Sequence, residues 1–160
     1  MKIESQCDAT TQAIGEKLAK LFQYGQVVAL HGNLGAGKTV LSRGIARGLG
    51  ITEPVTSPTF TVAQEYKTPD GHWLYHLDMY RIDDEMAAIA FGVEDYLTNR
   101  NAIALVEWPE RISRLLDGNS CIVVTINHLD EETRELDLPD ALGEKLLQIG
   151  LPEGARVIEP

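Results

Sequence analysis

Residues 31–39, HGNLGAGKT, set Gly32, Gly35 and Gly37 immediately ahead of a lysine and a threonine. Glycine loses more backbone freedom on ordering than other residues, so glycines this dense weaken any helix or strand and belong in a turn that needs them. The flanks say what the turn joins. Before it, QVVALHG is an unbroken apolar run, as in a strand covered on both faces. After it, Leu41, Ile45 and Leu49 recur at helical spacing until Gly50 supplies a stop.

Gly32, four residues, then Gly37, Lys38 and Thr39 is the P-loop pattern in its strand–turn–helix context. Successive N–H groups of such a turn point into one concavity, and the helix N-terminus adds unpaired donors and a positive dipole. That nest fits a polyphosphate. The Lys38 ammonium is expected at the β and γ phosphates of ATP, and the Thr39 hydroxyl on Mg²⁺. Asn33, Leu34 and Ala36 fill the variable positions, so the nucleotide-contacting stretch is expected to comprise Asn33, Leu34, Gly35, Ala36, Gly37, Lys38, Thr39 and Val40.

The rest of the chain reads as alternating strands and helices. A short strand at 2–5 precedes an amphipathic helix over 8–22, capped by Asp8 or Thr10. TVAQEY and LYHLDMY flank the turn KTPDGH as a hairpin, and DDEMAAIAFG suits a helix with acids in its first turn. AIALVEW is a second continuous apolar strand; CIVVTI and RELDL are further strands, and DALGEKLLQIG is a closing helix. Gly44 and Gly48 fall inside the helix that starts at Lys38, where close packing against the sheet is expected to compensate. The expected fold is α/β, a P-loop nucleotide-binding fold whose mixed, mostly parallel sheet is flanked by helices. Residues 1–160 read as one ATPase domain, with 139–160 a helical appendage.

A P-loop site also needs a carboxylate beside the metal, at the C-terminal end of a neighbouring buried strand. Glu107, closing AIALVE, and Asp78, closing LYHLD, both answer that description; Glu107 has the more buried context. With Lys38 they form the candidate catalytic set, and Glu107 joins Thr39 as a candidate Mg²⁺ ligand.

A formal net charge of −10 opposes direct binding to nucleic-acid phosphates. No apolar run is long enough to span a membrane, and Cys7 and Cys121 fit no metal or disulfide framework, so a cytoplasmic protein with reduced thiols is expected.

The succession GNLGAGKT, SPTFTVAQEY, YHLDMYR and LVEWPERI, in that order and spacing, resembles the TsaE (YjeE) family, the ATPase component of bacterial tRNA threonylcarbamoyladenosine synthesis. The likeness runs to about Leu138. It implies MgATP binding and hydrolysis coupled to partners called TsaB and TsaD, with tRNA, modified at adenosine 37, held through those partners. It implies phosphate and Mg²⁺ contacts from Gly35, Gly37, Lys38 and Thr39, a metal-side or water-orienting role for Glu107, and a role in turnover for Asp78. Thr59, in SPTF, stands where a loop could sense the γ-phosphate, or in an ordinary proline turn. Trp108 packs on the nucleotide, on a partner or in the core; Arg134 lies at the nucleotide's outer edge or is an exposed strand arginine. No arginine finger stands out beyond Arg43 and Arg81, so slow, partner-dependent hydrolysis is expected.

Two other functions would use the same loop: a nucleotide-gated binding switch, with hydrolysis only as its reset, and a small-molecule kinase, for which no arginine-rich lid is visible. His72 and His76 enter a strand and do not form a zinc pair, Asp83 to Glu85 start a helix, and NHLD at 127–130 imitates the base-reading motif of GTPases by chance.

Overall fold

The computed structural model describes residues 1–33, 35–56, 62–117 and 121–160. In chain order these form β1 (Lys2–Ser5), α1 (Asp8–Ala19), β2 (Val27–His31) and α2 (Lys38–Gly48). The hairpin of β3 (Ala63–Lys67) and β4 (Trp73–Asp78) follows, then α3 (Glu85–Phe91), α4 (Val93–Thr98) and β5 (Ala102–Glu107). A 3₁₀ turn at Pro109–Ile112 leads into α5 (Ser113–Asp117). Last come β6 (Cys121–His128), β7 (Arg134–Asp137), α6 (Asp140–Ile149) and β8 (Ala155–Glu159). The fold is α/β, with eight strands in mixed orientation and flanking helices.

The elements gather into two compact units, one of Met1–Phe22, His31–Thr56 and Val123–Pro160, the other of Gln23–Leu30 and Ser57–Ile122. In the second unit the strand order is β3-β4-β5-β2, antiparallel across the hairpin and parallel from β4 to β5 to β2. Its core gathers Val27, Tyr75, Leu77, Ala104 and Val106 from the strands with Ala88, Val93, Leu97, Ile112 and Leu116 from the helices and turn that follow them. Strand residues alternate faces, so this core takes one face of the sheet; Leu30, Leu74, Ile103 and Leu105, all fully buried, point from the other.

In the first unit β6, β7, β1 and β8 are neighbours in that order, and β7 pairs antiparallel with both β6 and β1, as β1 does with β8. Antiparallel pairings thus outnumber parallel ones among the described residues, which corrects the expectation of a mostly parallel sheet. Only residues 129–133 separate β6 from β7, and a link that short permits no parallel crossover. A second correction concerns residues 139–160. Beyond α6 they are not helical: Ala155–Glu159 forms β8, whose short, half-exposed segment lacks a clean period-two pattern.

Helix α1 begins one residue earlier than a cap at Asp8 would require. Cys7, extended at φ −163° and ψ 173°, holds the N-cap position without a side-chain cap bond, and Asp8 places its charge in the first turn, where the dipole favours it. Thr10 is no cap either, its hydroxyl donating to Glu153 O at 3.2 Å. Gly44 and Gly48 do permit close packing, but against α1 and not the sheet. A Cβ on Gly44 would run into the Gln12 carbonyl, and one on Gly48 would stand 2.5 Å from Glu16 O and 2.6 Å from Ala19 Cβ. Both cysteines are free, and among the described residues no helix is long and apolar enough to cross a membrane.

Candidate functional site

The first unit carries the glycine-rich turn. Gly35 and Gly37 adopt φ of +77° and +104°, a region that costs other residues about 1–2 kcal/mol, and Gly37 is the N-cap residue of α2. Ala36 N–H donates to Asn33 O at 3.0 Å and closes the turn; Leu41 N–H donates to Gly37 O at 3.0 Å and is the first bond of the helix. The amides of Lys38, Thr39 and Val40 therefore have no carbonyl of the helix to bond. Among the described residues no side chain caps them, and no acid sits in this first turn, so the helix itself supplies nothing that offsets the positive end of its dipole. The Lys38 ammonium, on a largely buried side chain, donates to Gly32 O at 2.7 Å and so arches back over the turn. Asn33 and Gly35 are exposed, Ala36 is buried, and Thr39 and Val40 are half-buried. Leu34, named with them from sequence, lies outside the described residues.

Arg134 joins this group. The expectation of an exposed strand arginine fails: the residue is 8% exposed, because β7 is flanked by β6 and β1. Its Nη1 donates to the carbonyls of Asp130, Glu131 and Thr133 at 3.1, 3.1 and 3.2 Å, which fixes the guanidinium against its own turn. Its Nε is buried with no partner, and it stands 3.5 Å from where a Cβ on Gly37 would be. A buried cationic donor left unbonded beside the opening amides of a helix is the arrangement an anionic oxygen completes. NHLD contributes too. His128 Nε2 lies 3.8 Å from the position of a Cβ on Gly35, while the Asp130 carboxylate is spent on the amides of Glu132 and Thr133.

The second unit carries the carboxylates. Register pairs Leu30 with Glu107 and Glu107 with Asp78, so three adjacent parallel strands end level, and Leu30 is followed at once by His31 and the glycine-rich turn. Glu107 is 4% exposed, and its Oε2 meets His76 Nε2 at 2.5 Å. Asp78 Oδ1 accepts the Tyr80 amide at 2.9 Å, and Met79 N–H donates to Glu107 O at 3.0 Å, which ties the exit of β4 to the end of β5. Directly after Glu107, Trp108 takes φ 55° and ψ 50°, the one positive φ among described non-glycine residues. That left-handed step turns the chain into the 3₁₀ turn and lays the indole on this unit's core, 5.0 Å from the Tyr80 ring.

Of the other candidates, Arg43 is tied down by its Nε bond to Val55 O at 3.0 Å, and Arg81 is exposed. Thr59 and the rest of SPTF lie outside the described residues. Asp84 caps α3, accepting from Ala87 N–H at 2.8 Å. His72 stacks on Tyr24 with ring centroids 3.9 Å apart, away from any zinc-type pairing with His76. Sequence reasoning passed over His76 and His128 as functional neighbours; the usable signal was spacing, since His76 and Asp78 are two apart on one strand and so share a face.

The family model described as "Threonylcarbamoyl adenosine biosynthesis protein TsaE" matches residues 5–136. The tRNA threonylcarbamoyladenosine biosynthesis protein TsaE of Bacillus subtilis is 40% identical over 127 residues, covering 79% of this chain and 77% of the relative. Its namesake in Synechocystis is 42% identical over 109 residues, 66% of this chain and 68% of that one. Among solved structures, the crystal structure of B. subtilis YdiB superposes with a TM-score of 0.74 at 31% identity, over 93% of this chain and 95% of the other.

Proposed function

The chain belongs to the TsaE family, the threonylcarbamoyl adenosine biosynthesis proteins, and from that premise we propose that it is the MgATP-binding and ATP-hydrolysing component of tRNA N⁶-threonylcarbamoyladenosine synthesis. It works as one P-loop domain in the cytoplasm, with TsaB and TsaD as partners and tRNA held through them, as its net charge of −10 favours. The observation that carries the nucleotide reading is the turn itself: the opening amides of α2, which no carbonyl of the helix can engage, the Lys38 ammonium over the turn, and an unbonded buried Arg134 Nε beside Gly37.

Under this reading the backbone from Asn33 to Val40, with Leu34, grips the β and γ phosphates, Lys38 offsets charge on the transferring group, and Arg134 bonds an anionic oxygen. Thr39 and Glu107 offer the hard oxygen donors that Mg²⁺ prefers and would hold the ion, which would supply neutralisation of phosphate charge. Glu107 orients the attacking water, Asp78 assists turnover, and Thr59 reports the γ-phosphate to the partners.

Calorimetric titration with MgATP, followed by phosphate release with and without TsaB and TsaD, tests the assignment. Binding, slow release alone and acceleration by both partners are the expected results. No heat of binding, or fast release that the partners leave unchanged, overturns it. One complete modification round supported by a non-hydrolysable analogue would favour the nucleotide-gated switch instead.

A further inference from the structure

His76 is fully buried on β4, yet its neighbours along the same face of the sheet, Leu74 on its own strand and Leu105 and Ile103 on β5, are apolar. An imidazole in such surroundings is costly unless its polar atoms are bonded. One is: Nε2 meets Glu107 Oε2 at 2.5 Å. The other, Nδ1, is buried with no partner. A proton on Nδ1 would be an unbonded buried donor, so the ring carries its proton on Nε2 and donates it to Glu107. The imidazole therefore serves a single partner.

Register makes this a cross-strand bond of a particular kind. His76 stands level with Leu105 and Asp78 level with Glu107, so the imidazole reaches diagonally forward to the carboxylate at the end of β5. A glutamate side chain has three rotatable bonds, and a bond to one oxygen from a rigid ring, itself packed without freedom, removes that mobility.

We propose that His76 is the positioning residue of Glu107: its Nε2–H holds Oε2 and so presents Oε1, in one orientation, to the water or metal ion that Glu107 serves. This inference rests on the assignment of Glu107 to turnover. His76 touches neither nucleotide nor water in this role, and acts only through the carboxylate.

The test compares His76→Gln, whose amide nitrogen reaches about as far as Nε2, with His76→Leu, which fills the space without a donor. With TsaB and TsaD present, His76→Leu is expected to lose about tenfold or more in kcat with KM for MgATP within about threefold, while His76→Gln keeps most of kcat. Equal kcat in wild type and a folded His76→Leu overturns the proposal, as does equal loss in both variants at unchanged thermal stability. If His76→Leu does not fold, nitrogen-labelled histidine spectra decide: wild type should show a protonated Nε2 and a bare Nδ1 at His76, with the Nε2–H resonance displaced in Glu107→Gln. A proton on Nδ1, or a resonance unmoved by Glu107→Gln, overturns the proposal. Full hydrolysis by Glu107→Gln would instead refute the role given to Glu107, and the spectra would still report on the pair.

Discussion

Arg134 and Gly37 are neighbours across the first unit: a Cβ on Gly37 would lie 3.5 Å from the guanidinium Nε and 3.2 Å from Ile126 Cδ1. With φ at +104°, this position penalises any side chain twice, by backbone strain and by crowding. Gly37→Ala is expected to cost about 1–2 kcal/mol in stability and to weaken MgATP binding about tenfold or more, read by urea melts and calorimetry. Wild-type affinity in that variant would show that the turn does not cradle the nucleotide.

Lys38→Ala removes the only ammonium in the turn, and with it the charge that the proposed function assigns to offsetting the transferring group. Phosphate release in the presence of both partners should fall by about 10²-fold or more. Full hydrolysis by that variant would end the assignment.

The contact of α1 with α2 depends on glycine for a reason that helix propensity hides. Alanine at Gly44 would gain about 1 kcal/mol within an isolated helix, but its Cβ would meet the Gln12 backbone, which cannot swing aside as a side chain can. Gly44→Ala is therefore expected to lower stability by about 1–3 kcal/mol, measured by urea unfolding. A stabilised variant would mean that the two helices can separate freely.

Asp70, in the turn between β3 and β4, offers a pH test. The Thr68 hydroxyl, first, and then His72 and Tyr24 hold its carboxyl down from the ordinary 3.8 to about 2. A pKa depressed in the folded state contributes stability above pH 3.8 and loses it as pH falls through about 2. The melting temperature of Asp70→Asn should lie below that of wild type at neutral pH, and the gap should close between about pH 4 and pH 2. A gap constant over that range would show that the Thr68, His72 and Tyr24 contacts do not bias the carboxyl.

Sequence legibility followed the physics of each signal. The continuous apolar runs of β2 and β5, the turn between β3 and β4, and the glycine-rich turn before α2 were all readable, because each is a local pattern with one economical structure. Helix α4 is too short to display a period, and β8 depends on β1 for its pairing, so neither announces itself locally. At the candidate site, Glu107 and Asp78 were legible as strand ends, whereas His76 required knowing that β4 and β5 are parallel neighbours in a given register. Arg134 looked like a surface residue until β1 was found beside β7.

That placement of β1 has a bearing on how the polypeptide matures. Both of its hydrogen-bonded neighbours, β7 and β8, are translated more than a hundred residues after it. While the ribosome is still at work, this early strand is an open edge with fully buried-type Ile3 exposed on it. Assembly of the first unit is thus governed by the slow closure of very distant segments, and nascent chains interrupted before β7 should be the species that seek out chaperones or one another.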